Sequence, residues 1–164
     1  VDLPIKRINR HLSVEQAEQK IKHYCAYQER SHFEVREKLY TLGLHKMQVE
    51  TLLTKLITEN YLDEERFAAS FARGKFNLKQ WGRIKIKYAL KLKKVSDYNI
   101  KTALKQIDEA DYLTVLQKLA TEKWALLKGE HYITRQAKTT AFLMQKGFEP
   151  QLAQQAVREA AGKS

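Results

Sequence analysis

Between Arg73 and Val95 stand nine basic side chains, Arg73, Lys75, Lys79, Arg83, Lys85, Lys87, Lys91, Lys93 and Lys94, and not one acidic side chain. Cations at that density hold anions: they displace counterions from a polyanion or meet an acidic protein face. On a helix Arg83, Lys87, Lys91 and Lys94 follow one another by four, four and three residues, so they share a face. Phe76, Trp81 and Tyr88 lie among them. A solvated face usually mixes signs, and an unmixed row repels itself unless something anionic neutralises it. Arg73, Lys75, Lys79, Arg83, Lys85, Lys87, Lys91 and Lys94 are therefore the candidate partner- or nucleic-acid-binding residues. Trp81 is read as a packing residue ahead of a base-stacking one.

Other chemistries find little support. His11, His23, His32, His45 and His131 are scattered, and none pairs with a cysteine at zinc spacing. No Gly-x-x-x-x-Gly-Lys run is present to cradle a phosphate. Glu18 and Lys20 resemble half of a nuclease carboxylate–lysine set, a spacing that chance supplies freely in so charged a chain. Asp63, Glu64 and Glu65 read as the acidic opening of a helix, where negative charge suits the dipole, ahead of a metal site. With no nucleophile and base at diagnostic spacing, no catalytic, cofactor-binding or metal-ligating residue is expected, and the chain is not expected to be an enzyme.

The wider composition agrees with a folded binding protein. The 164 residues are 43% hydrophobic and 30% charged, with a net charge of +11, six glycines and two prolines. Few turn-formers and abundant Lys, Glu, Gln, Ala and Leu favour helices over a turn-rich β fold. No apolar run approaches the ~20 residues of a membrane-spanning helix, and Lys6, Arg7 and Arg10 interrupt any secretory pattern at the start. The single Cys25 allows no intrachain disulfide and reads as a buried small hydrophobe, in keeping with a reducing cytoplasm.

Helices must carry the basic row, and their apolar positions repeat. Val14, Ala17, Ile21, Tyr24 and Cys25 step by three or four, with Ser13 and Gln16 as a capping pair. Ser31 and Glu34 form a second capping box before Val35, Leu39 and Leu42, and Gly43 stops that helix. A third helix carries Val49, Leu52, Leu53 and Leu56 and ends near Asn60. The frame Leu39, Gly43, Leu44, Val49, Leu52, Leu53, Leu56 then recurs without gaps as Leu90, Lys94, Val95, Ile100, Ala103, Leu104, Ile107. It recurs again as Leu143, Gly147, Phe148, Ala153, Ala156, Val157, Ala160, at offsets of 51 and 53 residues. The second copy's leading helix carries Phe67, Ala68, Phe71 and Ala72; the third's carries Leu113, Leu116, Ala120 and Trp124.

This pattern predicts an all-α chain of three tandem three-helix units stacked into an elongated, curved array. The units span 13–60, 61–108 and 109–164, after an N-terminal segment at 1–12. Residues Arg83 to Lys93 alternate apolar and basic like a strand, but the repeat register places Ile86 and Leu90 on a helix.

Four segments resemble the RecX family of recombinase regulators: Arg30-Ser31-x-x-Glu34-Val35-Arg36-x-Lys38-Leu39, Tyr61-Leu62-Asp63-Glu64-Glu65-Arg66-Phe67-Ala68, Gly82-Arg83-x-x-Ile86-x-x-x-Leu90 and Phe142-Leu143-x-x-Lys146-Gly147-Phe148. The likeness runs from Ser13 onward and departs at Lys93-Lys94-Val95, where the family often has glycine. It implies a non-enzymatic, cytoplasmic protein that binds the RecA recombinase, above all its filament on single-stranded DNA; the chain itself is expected to be a monomer. Family members usually inhibit ATP hydrolysis, strand exchange and filament growth, and so restrain the SOS response. The resemblance carries over no catalytic residue and implies no cofactor or membrane partner. The basic row would face single-stranded, or also double-stranded, DNA or acidic recombinase surfaces. A different reading of the same residues is a DNA-binding, helix-turn-helix-like transcription factor, since two short helices around Gly43 resemble that turn.

Overall fold

The computed structural model describes residues 12–162, and among them every regular element is a helix. In order these are α1 (Val14–Tyr27), α2 (His32–Thr41), α3 (Lys46–Thr58), α4 (Glu64–Lys79), α5 (Arg83–Leu92), α6 (Asp97–Lys105), α7 (Glu109–Leu126), α8 (Tyr132–Gln145) and α9 (Pro150–Gly162). The chain forms two compact units, one of the described residues up to Phe67 with Lys93–Val95, the other of Ala68–Leu92 with the residues from Ser96 on. Residues 1–11, most of the N-terminal segment marked off in the sequence, lie outside the described residues.

Capping side chains set the helix starts of the first unit. Ser13 and Gln16, then Ser31 and Glu34, exchange reciprocal hydrogen bonds before α1 and α2. Each pair satisfies two backbone donors that a helix start leaves without an intrahelical partner. His45 and Gln48 do the same for α3, a histidine in the role usually given to serine. The three helices bury Ala17, Ile21 and Cys25 of α1, Val35 and Leu39 of α2, and Val49, Leu52, Leu53 and Leu56 of α3 around one core with Leu44 and Leu62.

The repeated frame describes real equivalences. Leu39, Leu90 and Leu143 are all fully buried. The column occupied by Gly43, Lys94 and Gly147 is left-handed in all three copies, with φ of 93°, 61° and 100°. The next amide turns back to the buried leucine's carbonyl, Leu44 to Leu39 at 3.4 Å and Phe148 to Leu143 at 3.1 Å. That closure is the turn glycine favours after a helix. Lys94 takes the same left-handed φ without glycine, at about 1–2 kcal/mol for crowding its Cβ.

The second unit centres on Tyr112, fully buried, with ring centroids of Phe76 of α4 at 5.8 Å and Phe148 at 5.3 Å. Tyr112 takes the inward position on α7, ahead of Leu116, Ala120 and Trp124, while Leu113 is 42% exposed. The expected stripe on this helix is corrected by one residue at its start. A tyrosine fits there because a carboxylate and a backbone amide meet its hydroxyl.

Candidate nucleic-acid interface

The strand-like run from Arg83 to Lys93 folds as helix α5, and its alternation gives that helix two apolar faces. Ile86 and Leu90 point to the core and are fully buried. Ile84, Tyr88 and Leu92, four residues apart, form a second stripe that is 49%, 65% and 59% exposed. Helical spacing sets Lys87 and Lys91 along one border of this stripe and Lys85 along the other. An exposed row of three large apolar side chains edged by lysines has the mixed apolar and charged character of contact surfaces.

The start of α5 is fastened to the turn between α8 and α9. Gly82 N–H donates to the Lys146 carbonyl at 2.8 Å, and Ile84 N–H donates to the Gly147 carbonyl at 2.9 Å. Arg83 N–H donates to the Tyr112 hydroxyl at 3.0 Å. The backbones approach so closely that a Cβ on Gly82 would fall 2.3 Å from the Gly147 carbonyl. Tyr112 in turn donates to Glu149. These contacts occupy the amides that open α5, which have no carbonyl acceptor within their own helix.

Arg83 is drawn into the same cluster. Its guanidinium lies 3.7 Å from the centre of the Tyr112 ring, pairs with Glu149 at 2.7 Å and also pairs with Glu109. Partial burial works against its charge, but the hydrogen bond and field of Glu149 outweigh that and hold its pKa above the ordinary arginine value. Burial and the bond to Glu149 push the Tyr112 phenol far above its usual range. Arg83 thus keeps its charge within the fold, and several of the remaining cations gather in two groups.

Lys87 and Lys91 line a groove of about 790 Å³ between α5, α6 and the start of α7. Lys101 and Lys105 of α6 join them there, with Ile100, Leu104 and Ile107 as apolar lining and Asp97, Asp108 and Glu109 as acidic members. Lys91 has one distant carboxylate, Asp97 at 4.0 Å, whereas Lys87, Lys101 and Lys105 make no ion pair with the described residues. Lys101 and Lys105, spaced by four on α6, are absent from the candidates read off the sequence; their spacing was the available signal.

The second group surrounds Trp81. Lys75 Nζ lies 4.9 Å and Lys85 Nζ 4.6 Å from the centre of its ring. Lys146 Nζ donates to the Lys79 carbonyl at 2.9 Å, and burial, with the charge of Lys85 nearby, pushes its pKa down. Of the other candidates, Arg73 lines a smaller pocket with Asp108 and Asp111, and Lys94 occupies the left-handed turn after α5. Lys93 pairs with Glu34 at 2.5 Å.

Comparison with known proteins fits these observations. The chain matches the family models for the second and third three-helix domains of RecX over residues 63–104 and 109–157. It is similar to the regulatory protein RecX of Prosthecochloris aestuarii, 33% identical over 138 residues, 83% of this chain and 87% of that protein. It is also similar to that of Pelodictyon phaeoclathratiforme, 31% identical over 125 residues, 76% of each. In fold it resembles the crystal structure of RecX from Lactobacillus salivarius, with a TM-score of 0.82 at 24% identity, over 90% of this chain and 96% of that one. Among the described residues no helix is long and apolar enough to cross a membrane. The matched relatives are named regulatory proteins, and the chain belongs to the RecX family.

Proposed function

We propose that this protein binds the RecA recombinase filament on single-stranded DNA and restrains its ATP hydrolysis, strand exchange and co-protease activities, without catalysing a reaction itself. The observation that carries this reading is the mixed character of α5, an exposed Ile84, Tyr88 and Leu92 stripe edged by Lys85, Lys87 and Lys91. Naked DNA rewards the lysines but leaves the apolar stripe in water. An acidic protein alone rewards the stripe but needs fewer unmixed cations. A nucleoprotein filament offers both surfaces side by side. The three helical triplets, 13–60, 61–108 and 109–164, give one cytoplasmic monomer the means to touch successive filament subunits.

Co-sedimentation tests the reading. The protein should pellet with recombinase assembled on single-stranded DNA, and much less with free recombinase or with DNA alone. Tyr88→Ser with Leu92→Ser should abolish filament binding while weakening DNA binding little. Sequence-selective binding to duplex DNA, without recombinase, would instead favour the transcription-factor reading.

A further inference from the structure

Trp81, Lys75 and Lys146 lie outside the α5 stripe and the groove, Lys85 reaches the Trp81 ring from the stripe's border, and nothing in the filament reading assigns Trp81 a task. Trp81 is only partly buried and follows the C-terminal end of α4, its N–H donating to the Lys75 carbonyl at 3.2 Å. Two ammonium groups, of Lys75 and Lys85, converge on this one ring, and Lys146 is held close by through the Lys79 carbonyl. None of the three lysines makes an ion pair with the described residues. Like charges gathered around a shared aromatic repel one another, and an anion placed among them removes that repulsion.

We propose that Trp81 with Lys75, Lys85 and Lys146 forms a single-strand binding site, in which the indole stacks on a nucleobase and the lysines hold the flanking phosphates. Stacking a base on an aromatic ring is worth more than an exposed ammonium–ring contact, so an arriving base displaces one lysine from the ring. The displaced ammonium then meets the phosphate beside that base. Paired bases in a duplex have no free face to offer, so the site selects single strands. Burial and the nearby charge of Lys85 disfavour the Lys146 ammonium, and a phosphate beside it would favour the charged form. The proposal rests on the DNA-binding part of the filament reading and adds to it a residue-level site and a strand preference.

The molecule carries its own reporter, because its only other tryptophan, Trp124, is 3% exposed. Tryptophan emission and the anisotropy of a dye-labelled oligothymidylate of about 15 nucleotides, long enough for typical single-strand sites, are followed in one titration. The wild type should show quenching that tracks binding. Trp81→Leu should bind about tenfold more weakly and leave the remaining emission unquenched, with its helical circular dichroism unchanged. Lys85→Gln, which keeps the ring, should retain quenching at reduced affinity, and an abasic strand of equal length should bind without quenching. If anisotropy reports tight binding while the emission is silent and Trp81→Leu matches wild type, the site is wrong and DNA binding stands. Equal quenching by polyglutamate would overturn it in favour of an acidic protein segment. No anisotropy change with any strand would remove both the site and the DNA part of the filament reading.

Discussion

Replacing Gly82 by alanine tests whether the start of α5 is fastened as described. The backbone of Gly82 has no positive φ, so alanine suits it conformationally and the effect is purely one of contact. Its methyl would stand 2.3 Å from the carbonyl carbon and oxygen of Gly147 and 2.4 Å from the Phe148 nitrogen, backbone atoms with no free rotation. The turn must therefore separate from α5. Separation stretches three hydrogen bonds, Gly82 to Lys146, Ile84 to Gly147 and Arg83 to Tyr112. At about 1 kcal/mol each the loss is about 3 kcal/mol, before any loosening of Arg83 from Glu149. That is a large part of a typical total stability of about 5–15 kcal/mol.

The same chain supplies the control. A Cβ on Gly74, within α4, meets nothing within 4 Å, so Gly74→Ala should stabilise by about 0.5–1 kcal/mol through helix propensity. Urea unfolding followed by far-ultraviolet circular dichroism gives both numbers. Gly82→Ala within about 1 kcal/mol of wild type, with an unchanged denaturant slope, would refute the close backbone approach.

Other expectations follow from the turn, the cysteine and the lysines. Lys94→Gly relieves the left-handed strain and should raise stability by about 1 kcal/mol in the same assay, while weakening DNA binding by one cation's share. Burial pushes the Cys25 thiol up to about 11. Between about pH 9 and 11 the unfolded chain therefore loses this proton while the folded chain keeps it. Stability should fall as pH rises through that window, by about 2–3 kcal/mol from this group. Subtracting parallel unfolding curves of Cys25→Ala isolates the loss; a pH-independent difference would contradict burial of the thiol. With about 4–6 cations on phosphates, the log–log salt slope of DNA affinity should be roughly −3 to −5. Lys87→Glu with Lys91→Glu should make it shallower for every sequence, and a flat response would exclude the lysines.

The helical architecture was legible because its signals are local. Ser13 with Gln16 and Ser31 with Glu34 announce their caps, and the recurring frame from Leu39 places all but one of its apolar members in the core. The exception, Leu104, lines the groove beside α6. The Gly43, Lys94, Gly147 column was visible as a column, but only its shared left-handed backbone explains why two of its members are glycine, and Lys94 takes the same conformation at a cost. The site was less legible, because charge in a sequence carries no partner. Arg83 reads as one more cation until Glu149, 66 residues away, is found against it. Lys146 sits far from the basic row in sequence, and its place beside Lys79 follows from the turn that Gly82 admits. The alternation in α5 gives one helix two apolar faces, Ile86 and Leu90 in the core and Ile84, Tyr88 and Leu92 exposed.

The central claim is that the protein acts on the filament and not merely on DNA. A titration of recombinase ATPase on single-stranded DNA at two salt concentrations tests it most directly, with a lysine-rich peptide of similar net charge alongside. The protein should suppress hydrolysis well below one copy per recombinase subunit and retain most of that effect at the higher salt, because the Ile84, Tyr88 and Leu92 stripe does not depend on screening. The peptide should need amounts comparable to the phosphates and lose its effect with salt. Equal behaviour of protein and peptide, or no suppression at any ratio, would contradict the account.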